Sequence, residues 1–466
     1  MRNIKKATAT MLATAVIVTS AGVYDTGAAT TQATTPKILN GKAKKITAGE
    51  SFKIVVKASG KVKFKSENKK IAKVSKKGVV KAIKPGKVTI TVKSASKSAK
   101  VKVTVNPAKV KAVSATAGID QAKVTWTKVK NATGYEVYCS TTEKKGFKKF
   151  ATVKGGSVTS VDLNDLTSGT YYFKVKALAK AGKKTLKSDY SKASEAVKVW
   201  TLTWSDEFNG NSIDTNNWTF ETGHGNDGWG NQEWQNYTSS GNYEVKDGNL
   251  VIIPRINYNK ATRKFDAQSA TSTRIKTKGK KEFTYGKMEI RAKSSKAKGT
   301  WSAGWMLGAD CDTNIWPKCG EIDIMEGMDA GVPQAIHCQY FGSMPTAPGA
   351  PGGSKFYVTG LTQAQAAADY HTYTAIWTDT SIEFQVDGVT KGVYDPSKYN
   401  ENIRSHYWPF NHDFFFILNC AIGGNATDLD DYTKPYDATG WTVVKEDGDI
   451  QTLEDYFYID YVRVYQ

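Results

Sequence analysis

The sequence predicts an all-β protein, with two small β-sandwich modules followed by one large β-sandwich. Short runs rich in Val, Ile, Thr and aromatic residues recur along the chain, and each run is bounded by Gly, Pro, Asn or Asp. Helical periodicity is confined to one short stretch, LTQAQAAADY. The 466 residues are enough for two to four domains, and the composition changes sharply near residue 200.

Residues 1–29 have the order of a secretory signal peptide. A basic start is followed by an apolar stretch to about Val23, and small residues end at Ala28-Ala29. The apolar stretch is too short and too weakly apolar to cross a membrane, and no later stretch approaches the length of a spanning helix. We therefore expect a secreted, extracellular protein with no membrane insertion. A buried N-terminal helix is the alternative.

Charge divides the chain into a basic and an acidic part. Residues 1–200 contain 42 Lys+Arg and 10 Asp+Glu, whereas residues 201–466 contain 23 and 34. The lysines alternate with apolar residues, as on solvated strand faces, and aromatic residues do not interleave with them. Nucleic-acid binding is therefore not expected. Two alternatives stay open for the basic part, attraction to an anionic cell wall and a plainly solvated surface.

Five cysteines, at positions 139, 311, 319, 338 and 420, are an odd number without a C-x-x-C pair. This pattern is neither a disulfide framework nor a zinc site. Cys311 and Cys319 could close a short loop, and otherwise the five are expected to be small buried residues.

Two N-terminal segments resemble known β-sandwich modules. Within residues 36–106, the stretch SENKKIAKVSKKGVVKAIKPGKVTITVK resembles the bacterial Ig-like group 2 repeat. Within residues 107–199, KVTWTKVKNATGYEVYCS and a later Tyr-rich strand resemble a fibronectin type III module. The second resemblance implies a core role for Trp126 and a tyrosine-corner role for Tyr172. Neither segment contains a catalytic cluster, so both are expected to be Ig-like spacers of a bacterial protein.

Residues 200–466 form the third segment, and tryptophan sets it apart. Eleven of the twelve tryptophans lie from Trp200 onward, among strand-like runs such as GNLVIIPRI and DFFFILNCAIGG. Strands at this spacing predict one large sandwich of two sheets. Because an indole ring covers the apolar face of a pyranose, the tryptophans favour a carbohydrate cleft over core packing alone.

The stretch GEIDIMEGM, residues 320–328, holds three carboxylates. On a regular strand Glu321 and Asp323 would share one face, while Glu326 would point into the core at a cost of several kcal/mol. A β-bulge at Met325 or its neighbour returns Glu326 to the face of the other two.

The bulged strand then carries the residue set that glycosidic bond cleavage requires. Like charges so close together hold one proton to higher pH, as a general acid needs. A calcium site is the alternative, but calcium prefers ligands on a loop, and this stretch is apolar at alternate positions.

The third segment resembles glycoside hydrolase family 16, in its laminarinase-like branch of endo-β-1,3-glucanases. The matching stretches include LTWSDEFNGNSIDTNNW, TSTRIKTKGKKEFTYGKMEIRAK, GTWSAGWMLG, WPKCGEIDIMEGMD and DYVRVYQ. The resemblance implies a β-jelly-roll domain that hydrolyses β-1,3-glucan with retention, and mixed-linkage β-1,3-1,4-glucan as a side activity. It implies Glu321 as nucleophile, Glu326 as acid/base and Asp323 as the assisting residue, with no cofactor for catalysis.

Other substrates stay open, because bulged motifs also occur in galactan-active members of this family. The net acidic charge of the segment favours a neutral glucan over a sulfated galactan. Lichenan is a further alternative substrate. A non-catalytic glucan-binding protein is another alternative, and the intact carboxylates count against it.

Substrate-binding residues are expected around the carboxylates, three tryptophans from their positions in the sequence and three further residues from the resemblance. Trp301 and Trp305 lie four apart on one strand, and Trp316 leads into the catalytic strand. Core packing is the alternative for one of Trp301 and Trp305. His337 lies on the next strand near Asp323. Asn231 and Arg274 match positions that hydrogen-bond sugar hydroxyls. The segment departs from the family pattern in GNQE, TWSAGW and GGNATD, the last of which lacks a Trp after the two glycines.

Many relatives bind a structural calcium on the convex side. By position its ligands here would be Glu207, the carbonyl of Gly248, and Asp460. Ordinary surface acids are the alternative. We expect a monomer whose partner is β-glucan polysaccharide.

Overall fold

The computed structural model describes residues 33–338, 355–396 and 408–466, so the predicted signal peptide lies outside the described residues. None of the helices in these ranges is long and apolar enough to cross a membrane. Nearly all regular structure is β, which confirms the predicted fold class.

The first module is a small sandwich, and its long strand β8 alternates between core and solvent. Its sheets have the orders β2-β9-β8-β5, β3-β7-β6 and β1-β4, and its core includes Ile90 and Val101. Its strands are β1 Lys37–Ile38, β2 Ala43–Thr47, β3 Ser51–Lys53, β4 Val56–Lys57, β5 Val62–Ser66, β6 Ala72–Val74, β7 Val79–Ala82, β8 Gly86–Ser94 and β9 Lys97–Asn106.

The second module has a separate core around Trp126, Tyr135 and Phe173. Its sheets have the orders β10-β11-β14 and β13-β12-β15-β16, and β17 also pairs with β15. Its strands are β10 Val113–Ala117, β11 Ala122–Trp126, β12 Gly134–Ser140, β13 Lys148–Lys154, β14 Ser160–Leu163, β15 Gly169–Ala181, β16 Lys184–Lys187 and β17 Val197–Val199.

The predicted core role of Trp126 is confirmed, but the corner role of Tyr172 is wrong by one residue. The Tyr171 hydroxyl donates to the backbone oxygen of Thr167 at 3.0 Å, as a tyrosine corner does. Side chains alternate along β15, so Tyr171 packs against the core while Tyr172 does not. The fibronectin type III assignment itself stays a prediction.

The third segment, residues 200–466, is the predicted large sandwich. Its strands are β18 Leu202–Asp206, β19 Thr219–Glu221, β20 Asn236–Tyr237, β21 Tyr243–Lys246, β22 Asn249–Ile252, β23 Arg255–Asn259, β24 Lys264–Ser272, β25 Arg274–Lys276, β26 Glu282–Phe283, β27 Gly286–Lys293, β28 Thr300–Gly308, β29 Glu321–Gly327, β30 Gln334–His337, β31 Lys355–Tyr357, β32 His371–Trp377, β33 Ile382–Val386, β34 Val389–Tyr394, β35 Phe414–Ile422, β36 Thr442–Asp447, β37 Ile450–Glu454 and β38 Phe457–Tyr465.

Two eight-stranded sheets face each other across one core. One has the order β21-β22-β38-β27-β32-β33-β34 with β18 on β38, and the other β19-β25-β35-β28-β29-β30-β31 with β26 on β35. Their core includes Ile290 and Val462 from the first sheet and Ile322 and Leu418 from the second. A further sheet has the order β20-β24-β23-β37-β36.

The stretch of helical periodicity forms the helix α1, Gln363–Ala368, which begins at a capping box built by Thr362 and Gln365. No disulfide joins the cysteines of the described residues, so Cys311 and Cys319 do not close a loop in this structure. Cys319, Cys338 and Cys420 are buried as expected, whereas Cys139 and Cys311 are only partly buried.

Candidate active site

The predicted bulge is present in β29. In the pairing with β28, Met325 lies opposite Gly304 and Asp323 lies opposite Trp305, so Ile324 is the extra residue. Ile322, Ile324 and Met325 are all buried in the core. The bulge thus turns two successive apolar side chains inward and leaves the three carboxylates for the opposite face.

Glu321, Asp323 and Glu326 line one cleft of about 500 Å³. The six predicted substrate-binding residues line the same cleft, although they come from distant parts of the sequence: Asn231, Arg274, Trp301, Trp305, Trp316 and His337. The structure therefore brings together every residue that the sequence nominated for catalysis and substrate binding.

The carboxylate of Glu321 is held from outside the strand. The indole nitrogen Nε1 of Trp316 donates to its Oε2 at 2.6 Å. Trp316 remains half exposed at the cleft. Its indole therefore orients a carboxylate, a contact that the predicted stacking role did not include.

Asp323 lies between Glu321 and His337. His337 is directly opposite Glu321 in the pairing of β29 with β30, and its Nε2 is 3.1 Å from Oδ2 of Asp323. Burial raises the pKa of Asp323 well above its usual range, and the charge of Glu321 and a hydrogen bond with Glu321 raise it further. The environment therefore favours the protonated form of Asp323, and in that form Asp323 can donate a hydrogen bond to Glu321.

Glu326 is also buried, and its environment favours the neutral carboxyl group. Burial is the largest cause that raises its pKa well above the usual range, and the charges of Asp323 and Glu321 add to it. His337 and the indole of Trp301 lower the pKa, but they do not cancel the effect of burial. A carboxyl group whose environment holds its proton to higher pH is what a general acid requires.

Arg274 separates two indole rings of the cleft wall. Its guanidinium carbon is 4.5 Å from the ring centre of Trp229 and 5.1 Å from that of Trp305. Its Nε donates to Glu221 at 2.6 Å, and Lys276 pairs with the same carboxylate. Arg274 is thus fixed in place, and this fixes the spacing of the two rings.

Sequence reasoning missed Trp229, Glu233 and Asn419, which also line the cleft. Trp229 has a φ of 59°, in the left-handed region, between Gly228 and Gly230, which also have positive φ. A non-glycine residue seldom adopts this conformation. A Trp between two glycines in DGWGNQ was the signal that could have identified it.

Glu233 is the centre of a hydrogen-bond network below the cleft. Its carboxylate accepts from Asn231 at 3.1 Å, from Gln235 at 2.7 Å and from the Tyr237 hydroxyl at 3.2 Å. Three donors therefore satisfy the oxygens of this buried carboxylate, as burial of a polar group requires.

The network continues to Trp305, another residue that lines the cleft. The amide nitrogen of Asn419 donates to the Tyr237 hydroxyl at 3.0 Å, and its amide oxygen accepts from Nε1 of Trp305 at 2.8 Å. Asn231 and Trp305 are therefore connected through buried polar groups, and neither ring nor amide turns independently of the other.

The predicted calcium ligands converge in the sheet, but their side chains have other partners. Asp206 pairs with Val462 and Leu250 with Ile459, so the segments next to them approach Asp460 from the same edge of β38. Both oxygens of Glu207 accept from Arg463 at 2.8 Å, and Asp460 pairs with Arg291. The residues therefore fit a calcium ion only if both carboxylates leave their arginines.

A Trp-lined cleft with three carboxyl groups on one strand, two of them buried with raised pKa values, is the residue set of a glycoside hydrolase. The family profile "Glycosyl hydrolases family 16" matches residues 231–414, and the profile "Bacterial Ig-like domain (group 2)" matches residues 26–105.

Characterised proteins align with the catalytic segment. The chain is 32% identical over 261 residues to the Glucan endo-1,3-beta-glucosidase of Cryptopygus antarcticus, covering 52% of this chain and 87% of that protein. It is 33% identical over 242 residues to the Beta-glucanase of Rhodothermus marinus, covering 50% and 79%.

A third relative, the Glucan endo-1,3-beta-glucosidase A1 of Niallia circulans, is 36% identical over 247 residues, which is 49% of this chain and 35% of that protein. The chain thus spans about a third of the length of this relative. The chain belongs to glycoside hydrolase family 16, and a bacterial Ig-like group 2 domain precedes its catalytic part. The predicted family and the predicted first module are confirmed.

Proposed function

We propose that this protein is an endo-β-1,3-glucanase that cleaves β-1,3-glucan by double displacement, with mixed-linkage β-1,3-1,4-glucan as a side substrate. The observation that carries the proposal is the bulged strand, because it brings three carboxylates with different protonation tendencies into one Trp-lined cleft. The printed names of the three relatives support a β-glucan substrate.

In the proposed reaction Glu321 attacks the anomeric carbon while the protonated carboxyl group of Glu326 gives its proton to the leaving oxygen. Asp323 donates a hydrogen bond to Glu321 as the charge on that carboxylate changes. Glu326, now ionised, then takes a proton from the water that hydrolyses the glycosyl-enzyme, so the configuration is retained. No step requires a cofactor.

The test is the release of reducing ends from laminarin, lichenan and agarose by the wild type and by Glu321→Gln. Glu244→Gln, at an exposed glutamate of β21, is the matched control. Laminarin hydrolysis that is lost only in Glu321→Gln supports the proposal. Activity on lichenan alone would mean a mixed-linkage glucanase, and activity on agarose alone would mean a galactan-active enzyme. Activity on none of the three would reject the proposal that the protein is an enzyme. NMR of the first product should detect the β anomer, and an initial α anomer would overturn retention.

Export, wall association and a monomeric state complete the proposal. The signal-like order of residues 1–29 supports export, and the basic charge of residues 30–200 supports contact with an anionic cell wall. Immunodetection in the culture medium, the washed wall and the cytoplasm tests the location. Light scattering on the purified chain tests the monomer, which a mass of about 51 kDa indicates.

A structural calcium at Glu207, Gly248 and Asp460 is a separate proposal. The approach of three chain segments to one edge of β38 supports it, and the arginine pairs count against it. Thermal unfolding in calcium and in EGTA separates the two outcomes. A higher unfolding temperature in calcium supports the site, and equal temperatures reject it.

A further inference from the structure

We propose that the outer face of the four-stranded sheet in the first module binds a linear phosphodiester polyanion. This inference rests on the wall contact proposed above and names its surface and its chemistry. It does not depend on the hydrolytic activity.

The surface is defined by six exposed lysines of β5, β8 and β9, which we call the lysine face. Side chains alternate in these strands, so the valines and isoleucines between the lysines point into the core. The lysine face consists of Lys63, Lys65, Lys87, Lys93, Lys100 and Lys102.

Strand register arranges these lysines in a grid with threonines. Thr91 of β8 lies between Lys65 of β5 and Lys100 of β9, and Thr89 lies beside Lys102. Neighbours in one strand are two residues apart, or about 7 Å, and paired strands are about 4.8 Å apart. The result is a flat array of ammonium groups with hydroxyl groups between them.

The lysine face is not neutralised by the module itself. Residues 36–106 contain 21 lysines, no arginine and only two acidic residues, Glu50 and Glu67. Among the described residues, the ion pair between Lys187 and Glu136, in the second module, is the one that involves either N-terminal module. Glu67 shares a surface groove with Lys87 and Lys102. No ion pair joins it to a lysine of the face in the described residues, so most of the charge of the lysine face is available to a partner.

The second module shows how lysines of a sheet are otherwise used. Lys176 lies over the ring of Tyr190 at 3.9 Å, and Lys174 lies over the ring of Phe147 at 4.0 Å. These ammonium groups already have a partner within their own module. In the first module the six lysines have none of these contacts, and Lys63 lies directly opposite Lys93. Like charges in opposite positions destabilise a sheet, so folding alone does not explain the array.

The chemistry of the face favours phosphodiesters. Arginine reads planar carboxylates with two parallel hydrogen bonds, and this module has none. Lysine binds phosphate as a point charge, and the threonine hydroxyls can donate to the non-bridging oxygens. A flexible chain with one charge per repeat can follow a grid of this kind by releasing its counterions.

The test uses the full chain and soluble poly(glycerol phosphate) as the probe. Binding is measured by calorimetry over a range of salt for the wild type and for the triple variant Lys65→Gln/Lys100→Gln/Lys102→Gln. The control triple variant, Lys148→Gln/Lys149→Gln/Lys154→Gln, removes the same charge from exposed positions of β13 in the second module. We expect the first variant to bind about tenfold more weakly and to reduce the slope of log Kd against log salt by about 2. The control should stay within about twofold of the wild type.

Every other outcome overturns the proposal or part of it. Equal weakening in both triple variants would mean that net charge, and not the lysine face, binds the polymer. Equal or tighter binding to polygalacturonate would overturn the phosphodiester assignment. Tighter binding to anionic phospholipid vesicles would mean that the lysine face binds a membrane surface and not a linear polymer. Laminarin hydrolysis, measured on the same samples, should be equal in all three proteins. An inactive wild type would reject the proposed enzyme and leave the binding result intact.

Discussion

Strands β8 of the first module and β29 of the catalytic domain both cross the centre of a sheet, but their side chains follow different rules. In β8 every second residue from Gly86 to Ser94 is buried, and the others face solvent. In β29 six of the seven residues are buried, because one face packs in the core and the other lines the cleft. Regular alternation of buried and exposed residues therefore indicates a sheet that covers a core. Its interruption by the bulge at Ile324 marks the strand that lines the cleft.

The largest expected effect is the loss of acid catalysis by Glu326, near the end of the bulged strand β29. Glu326→Gln removes the proton that the leaving group takes, so kcat on laminarin should fall by about 10²–10⁴-fold. Steady-state kinetics measures the loss, and an aryl glucoside with a good leaving group should lose less because it needs less acid assistance. A decrease below tenfold on laminarin would show that Glu326 is not the acid.

The next effect breaks the regular strand. Ile90 is completely buried in the first module, so Ile90→Ala should lower the free energy of unfolding of that module by about 2–5 kcal/mol. Calorimetry should show a lower unfolding temperature for the module and an unchanged transition for the catalytic domain, whose core is separate. Laminarin hydrolysis should be unaffected. A shift of both transitions would mean that the two cores unfold together.

What the sequence could predict in these two strands was local. The alternation in GKVTITVKS and the spacing in EIDIME depend on neighbours along one strand, and both predictions agree with the structure. The family resemblance added His337, Asn231 and Arg274 to the three tryptophans chosen by position, and all six line the cleft.

The features that the sequence did not reveal depend on residues far apart in the chain, or on which of two side chains makes a contact. Asn419 and Tyr237 are 182 positions apart, so no local pattern reveals their hydrogen bond. The tyrosine corner was displaced by one residue because adjacent tyrosines, 171 and 172, look alike in sequence while pointing to opposite faces. The calcium ligands were chosen by position, and the sequence does not show that Arg463 would take both oxygens of Glu207.

A smaller effect is the pH dependence of stability, which should differ between the catalytic domain and the first module. Burial raises the folded pKa of Glu326 above its unfolded value of about 4.3, so between these values the native state holds more protons than the unfolded state. The free energy of unfolding therefore falls as pH rises through that window. Glu326→Gln lacks this group, so its stability relative to the wild type should increase with pH, by at most about 1.4 kcal/mol per unit.

Urea unfolding of the catalytic domain at several pH values from about 4 to 7 checks this sign. The first module of the same protein lacks Glu326, and its transition should be equal in the two proteins at each pH. If the stability of Glu326→Gln relative to the wild type instead falls as pH rises, the folded pKa of Glu326 lies below its unfolded value, and the prediction is wrong.

The smallest effect concerns the hydrogen-bond network that connects Asn231 with Trp305. Tyr237→Phe removes the hydroxyl between Glu233 and Asn419, while the ring that fills the core remains. One hydrogen bond contributes about 1 kcal/mol, so we expect the KM for laminari-oligosaccharides to rise about fivefold. The kcat should stay within about twofold, because Tyr237 does not contact the three carboxylates. Asn419→Asp, which keeps the acceptor for Trp305 but loses the donor to Tyr237, should give a similar rise in KM. If both variants instead lower kcat and leave KM unchanged, the network positions the carboxylates of β29 and not the sugar-facing wall.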